Sequence, residues 1–408
     1  MLKSICFYSK TYFRAFLIIV ILGYISSCSG GGNDDSAGSS GPNLESNTQG
    51  KDLQTKEYNL LATNPKNSVI RISNNSNNVI SFYIELNGNK FYNNLDEVIN
   101  DIKKMKDEYP GEKIVRKVWR YTRDNTYHNP PLTEKYWYHN PMLILNSPGF
   151  GFCDDVAMLN CFIWTNLGYK ARMWGLKGHA VSEVYVDGRW ELYDSDLGIY
   201  YHNQRLEVAG VEELRAYPNL VTSPIKPIIT DKEAAKATNI YSKEVAIAYS
   251  DPNNYFIDFN LIANVTDTKF HLPPASKIEF GGKIISNATT GMVSNQKYPI
   301  ADYANLVYTI NYSSNGVLPF PFIIQTIHSK GKITHNDKEF IIGSKALENL
   351  LSSYDDLVFP LLFDTQEPIE VVYYINPIRF SIQNQNKLVL RGKYLDFLNV
   401  EIVPNENI

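Results

Sequence analysis

Three features of the sequence predict an α+β chain. A turn-rich loop, Ser147-Pro-Gly-Phe-Gly151, leads into a helix-compatible apolar run from Val156 to Leu167, which Gly168 ends. Two β-rich runs, from His179 to Val186 and from Arg189 to Asp194, are joined by Asp187-Gly188, a residue pair suited to a two-residue hairpin turn. From about residue 252 onward, short runs such as Tyr255-Phe-Ile-Asp-Phe, Leu306-Val-Tyr-Thr-Ile-Asn-Tyr, Phe320-Pro-Phe-Ile-Ile, Ile369-Glu-Val-Val-Tyr-Tyr-Ile and Lys387-Leu-Val-Leu-Arg alternate with turn residues. A helix packed on an antiparallel sheet, followed by a β-sandwich-like accessory domain, accommodates all three.

At 408 residues the chain exceeds the usual size of one domain. Lys3, Lys10 and Arg14 precede Ala15-Phe-Leu-Ile-Ile-Val-Ile-Leu22, an apolar run well short of the ~20 residues that span a bilayer. Ile25-Ser-Ser-Cys28 follows and resembles a bacterial lipobox, in which the cysteine is lipidated and becomes the new N-terminus. The expected organisation is a lipoprotein signal peptide at 1–27, lipidation of Cys28 and a flexible tether at 28–56, rich in Gly, Ser, Asn and Asp and too poor in apolar residues to fold. The expected location is the bacterial cell envelope, with the body anchored at the outer membrane or cell surface. Residues 57–250 carry the helix and hairpin behind an N-terminal extension, and 251–408 form the accessory domain. In the extension, Ser68-Val-Ile-Arg-Ile and Val79 to Leu86 read as strands; helices are expected from Leu95 to about Glu108 and from about Glu112 to Thr122. Val211-Glu-Glu-Leu-Arg and Lys232-Glu-Ala-Ala-Lys predict a helical connection toward the accessory part.

With 44% apolar and 20% charged residues and a net charge of −4, the chain is an ordinary globular protein with a mildly acidic surface. That balance argues against nucleic-acid binding, which requires basic patches. Gly149-Phe-Gly151 lacks the third glycine of a dinucleotide loop, and no phosphate-loop, HExxH or CxxC pattern occurs.

The cysteines carry more information. Cys6 leaves with the leader and Cys28 is alkylated, so Cys153 and Cys161 remain as thiols. On one helix their eight-residue separation spans about 12 Å, beyond the ~7 Å between Cα atoms that a disulfide tolerates. An exported chain that keeps unpaired thiols suggests that one serves chemistry. Cys161, between Asn160 and Phe162 in the apolar run, reads as a small buried hydrophobe. Cys153 falls in the first helical turn, where backbone N–H groups and the positive end of the dipole favour a thiolate and can later hold an oxyanion. Asp154 and Asp155 oppose the thiolate in part, so a further positive partner is needed.

Among seven histidines, His179 has the best context. A two-residue loop at Asp187-Gly188 sets Val186 opposite Arg189 and Val181 opposite Asp194, placing His179 and Asp194 on one face as diagonal neighbours roughly 7–8 Å apart. A three-residue loop would put them on opposite faces. Asp196 is the rival orienting acid. Together the residues propose a Cys-His-Asp site in which imidazole takes the thiol proton, carboxylate fixes the tautomer and sulfur attacks an acyl carbon.

The blocks Gly151-Phe-Cys153-Asp-Asp-Val-Ala157, Leu167-Gly-Tyr-Lys-Ala-Arg172-Met-Trp-Gly175, His179-Ala-Val-Ser-Glu183-Val and Asp187-Gly-Arg-Trp190-Glu-Leu-Tyr-Asp194 resemble the core of the transglutaminase-like superfamily. The resemblance is clear within residues 151–194 and extends as a domain over about 95–205. It implies a papain-like fold in which Cys153 is the nucleophile, His179 the base and Asp194 the orienting acid. It further implies a cysteine-dependent hydrolase or acyltransferase working through a thioester on Cys153: a cysteine protease or amidase when water resolves the thioester, a protein-crosslinking transamidase when an amine does. Hydrolysis of a protein, peptide or glycopeptide is the preferred expectation. Many members carry Trp two places after the histidine, where this chain has Val181, and Pro after the acid, where it has Ser195; these departures concern cleft shape. No EF-hand spacing suggests calcium, so neither metal nor cofactor is expected.

Trp137, Tyr138, His139, Asn140 and Asn146 precede the nucleophile as candidate oxyanion donors, with none singled out. Tyr136, Trp137, Tyr138, Phe150, Phe152 and Trp174 either line a groove for a sugar or extended peptide or pack in the core. The rival expectation is a non-catalytic scaffold whose aromatic cleft and β-sandwich bind a polysaccharide or a protein partner.

Overall fold

In the computed structural model, residues 53–59, 68–128, 140–226, 240–259, 268–280, 304–310, 324–328, 331–335, 338–347, 362–365, 369–380 and 387–404 are described. The signal peptide, Cys28 and the tether up to residue 52 lie outside them, as do Tyr136 to His139, Lys232 to Lys236 and Phe320 to Ile323. Among the described residues no helix is long and apolar enough to cross a membrane.

Helices and antiparallel sheets make a mixed α+β architecture. A four-stranded sheet runs in the order Tyr255–Phe259, Lys170–Leu176, His179–Val186, Arg189–Tyr193. On one face lies the helix Cys153–Asn166, with the helix Ile114–Asn125 packed beyond it. Asn160 marks that face, donating to the hydroxyls of Ser182 (3.0 Å) and Ser195 (2.8 Å). The opposite face carries Trp174, Val181 and Leu192, buried with Val211, Leu214, Leu220 and Tyr249 from the segment that follows. The strands are therefore covered on both sides, which explains the nearly continuous burial from Ala180 to Val184.

A β-rich part stands beside this layer. One sheet orders Gln54–Asn59, Lys387–Gly392, Ile80–Leu86 and Phe270–Leu272; another orders Ile324–His328, Ile369–Ile375, Ala304–Ile310, Lys277–Phe280, Ser68–Asn74 and Leu398–Pro404. Every pairing in both is antiparallel. They share one apolar core, to which Phe82, Ile84 and Phe270 come from the first sheet and Ile72, Ile278 and Tyr373 from the second. In Ile80–Leu86 burial alternates strictly, the mark of a strand with one face on a core.

Several expectations are corrected. Ser68–Asn74, grouped by sequence with 57–250, lies between Lys277–Phe280 and Leu398–Pro404, and Ile80–Leu86 pairs with Lys387–Gly392 and Phe270–Leu272. The N-terminal strands thus belong to the β-rich part. Tyr255–Phe259, assigned to the accessory domain, instead adds an edge to the sheet of His179 through Lys170–Leu176. Strand partners are chosen across long sequence separations by complementary faces, so contiguous boundaries in the sequence missed them. Gln54 to Lys56, read as the end of the tether, belong to an edge strand; an edge exposes one face, and its alternation of polar side chains mimics a linker. The helix from Leu95 stops at Lys104, and the next begins at Ile114 after the Pro110-Gly111 turn.

Candidate functional site

Cys153 is the first residue of its helix, as expected, and only 1% exposed. Phe152 occupies the N-cap, and its backbone N–H donates to Oδ2 of Asp155 at 2.7 Å. Asp155 thus folds back over Gly151, where a Cβ would come within 2.6 Å of the Asp155 side chain. The loop can approach the first turn this closely only with glycine at 151. Cys161 lies on the same helix, fully buried, with Sγ 3.6 Å from the Arg172 carbonyl. Burial, helped by the Glu183 carboxylate, pushes its thiol well above the ordinary cysteine range. The two cysteines form no disulfide.

The hairpin has the expected register: Val186 faces Arg189, Tyr185 faces Trp190 and Ser182 faces Tyr193. Asp187 at φ 52° and Gly188 at φ 83° give the left-handed pair of a tight hairpin turn. His179 opens its strand, and its Nε2 lies 2.7 Å from Oδ2 of Asp194. The ladder ends at Tyr193, one residue before the expected pairing of Asp194 with Val181; Asp194 instead makes reciprocal backbone bonds with Ile199. Its other carboxylate oxygen accepts from the Leu197 backbone at 2.9 Å. The side chain is 1% exposed and that of His179 is 12%. A carboxylate only accepts, so Nε2 carries the proton and Nδ1 of a neutral His179 carries the lone pair.

The turn holding Asp194 is braced from two helices. Trp119 Nε1 donates to the Asp194 carbonyl at 2.9 Å, and Ser195 Oγ donates to the Trp119 carbonyl at 3.1 Å while accepting from Asn160. Ser195, a departure from the pattern the sequence resembles, therefore ties Asp194 to both helices. Val181, the other departure, is buried in the core on the far face.

Asp196, the rival acid, pairs with a different histidine. Both its oxygens lie 3.0 Å from Nδ1 of His128, forming a second imidazole–carboxylate pair. His128 sits on the short strand Tyr127–His128, which pairs in parallel with Phe150–Gly151 immediately before Cys153, and its ring lies 5.6 Å from that of Phe152. Nothing local in Tyr127-His128 announces this role, because the partner is 68 residues away.

The oxyanion candidates are reduced. Asn140 caps the helix Pro141–Asn146, accepting from the backbone of Met142 and Leu143. Asn146 exchanges both amide groups with the backbone of Tyr92 at 2.8 Å. Asn146 is thus committed to structure through both groups, whereas Asn140 commits its amide oxygen. Trp137, Tyr138 and His139 lie outside the described residues, and Phe150 and Trp174 are core. Among the described residues no group of three or more His, Cys, Asp or Glu is arranged to hold a metal. Against models of protein families, curated proteins and solved structures, the chain finds no match.

Proposed function

We propose that this protein is a transglutaminase-like, papain-related acyl-transfer enzyme that hydrolyses an amide in a protein, peptide or glycopeptide through a thioester on Cys153, its body tethered to the cell envelope by a lipid on Cys28. The observation that carries the reading is the 2.7 Å bond between His179 and a buried Asp194, made at the head of a strand on which the Cys153 helix packs. In the reaction Nδ1 of His179 takes the thiol proton as sulfur bonds to the carbonyl carbon. The tetrahedral intermediate collapses, the C–N bond breaks and the same proton passes to the departing amine. Asp194 fixes the ring and steadies its positive charge, while the helix start provides a favourable field for thiolate and oxyanion alike. Water then resolves the thioester; an amine in its place gives transamidation.

Competition alkylation with iodoacetamide below neutral pH tests this. Cys153 is expected to react rapidly and alone, and His179→Ala to abolish the reaction, with Cys161 unmodified throughout. Slow reactivity at both thiols, rising only at alkaline pH, sinks the reading. Products from a peptide and glycopeptide library then separate cleavage from crosslinking. A second reading, a non-catalytic scaffold for a polysaccharide or protein partner, is favoured by the 1% exposure of Cys153 and has that slow reactivity as its signature.

A further inference from the structure

The turn from Asp194 to Ile199 holds two imidazoles rather than one. Asp194 takes Nε2 of His179 and Asp196, two residues on, takes Nδ1 of His128. The side chains of His128 and Asp196 are 10% and 4% exposed. Thiol catalysis as proposed above uses only the first pair. The second is built to the same plan through the opposite ring nitrogen: with Nδ1–H donating to the carboxylate, Nε2 of a neutral His128 carries the lone pair. Its place is close to the nucleophile. His128 faces Gly151 across the parallel pairing, and paired strands lie about 5 Å apart. Two further residues add at most ~7 Å of chain to Cys153.

We propose that His128, held by Asp196, is a second catalytic base of the same site, serving the water that resolves the thioester; this rests on the acyl-transfer reading. After the amine has left with the proton from His179, water attacks the thioester carbon and gives one proton to Nε2 of His128. The intermediate collapses, the C–S bond electrons return to Cys153 as thiolate, and the acid departs. The proton on His128 then returns to the sulfur, restoring the resting thiol. His179 thus serves the thiol and His128 the acceptor. A purely structural His128, there only to cover the charge of Asp196, affects stability without altering the balance between the two chemical steps.

Stopped-flow hydrolysis of p-nitrophenyl acetate by the full chain separates those steps. The burst of nitrophenol, lost in Cys153→Ala, reports acylation, and the later linear phase reports deacylation. For His128→Gln the ratio of turnover to burst rate is expected to fall about a hundredfold, and for His128→Ala added imidazole is expected to restore turnover. Should His128→Gln not fold, Asp196→Asn, which keeps both side-chain volumes, is read in the same way. An unchanged ratio, or a fall that imidazole does not reverse, overturns the proposal while leaving His179 as the thiol base. A wild-type chain with no burst dependent on Cys153 overturns the acyl-transfer reading itself.

Discussion

Asn376 fills the space beside Gly149: a Cβ on residue 149 would come within 2.5 Å of the Asn376 Oδ1. The amide of Asn376 donates to the carbonyls of Asn125 (3.0 Å) and Leu145 (3.1 Å), and Arg379 Nη1 also donates to Leu145. Ser147 Oγ donates to the Tyr374 carbonyl at 2.7 Å. A segment of the β-rich part thereby clamps the loop that delivers Cys153.

Asn376→Ala is expected to cost about 1–3 kcal/mol by removing the donor to the Asn125 carbonyl and the acceptor of the Ile378 and Arg379 backbone N–H groups and to slow Cys153 alkylation. Gly149→Ala, at φ +70°, adds about 1–2 kcal/mol of backbone strain to the clash. Urea unfolding and alkylation kinetics measured together check this; lost stability with unaltered alkylation would show that the clamp stabilises without positioning.

Asp194→Asn preserves volume but removes the charge that fixes the His179 tautomer. Alkylation of Cys153 at neutral pH is expected to slow about a hundredfold or more, with the melting temperature far less affected. A rate within twofold of wild type would remove Asp194 from the proposed mechanism.

Glu183, fully buried, accepts from Nε of Arg172 (2.5 Å) and Nε1 of Trp174 (2.6 Å). Arg172 in turn lies 4.1 Å from the centre of the Trp190 ring and 4.4 Å from that of Phe256. Glu183→Ala strands this cation and is expected to cost about 3–5 kcal/mol, whereas the double replacement Arg172→Met, Glu183→Leu costs much less. A urea-based double-mutant cycle decides; additive losses would mean the pair is not coupled.

His202 accounts for part of the expected pH dependence of stability. Burial lowers its pKa below the ordinary histidine value, aided by the charges of Lys226 and Arg116 and opposed by its bond to the Lys226 carbonyl. Since the unfolded chain binds this proton first, the stability tied to neutral His202 is intact above its unfolded value of about 6.5. It is lost as pH falls through the lower folded value. Chemical denaturation across pH 5 to 7 is therefore expected to show a shallower slope for His202→Gln than for wild type; identical slopes would contradict it.

The hairpin between Val186 and Arg189 and the helix opening at Cys153 were legible because local chemistry specifies them. Asp187-Gly188 admits the left-handed turn, and the turn allows one register, which places His179 within reach of Asp194. Turn formers ahead of an apolar run likewise located Cys153 at a helix start. The edge strand at Gln54–Asn59 was not legible, since a half-exposed polar strand and a linker share a composition.

The sequence by itself determined the α+β class, the candidate residues Cys153, His179 and Asp194, and the commitment of Cys161 to the core. Tertiary structure alone decided that Asp196 pairs with His128, that Asn146 is committed to the backbone of Tyr92, and that Asn376 braces the loop before Cys153. The division has one physical cause: turns and caps depend on dihedral preferences within a few residues, whereas a hydrogen bond between positions 68 or 231 residues apart forms only where packing brings the two together.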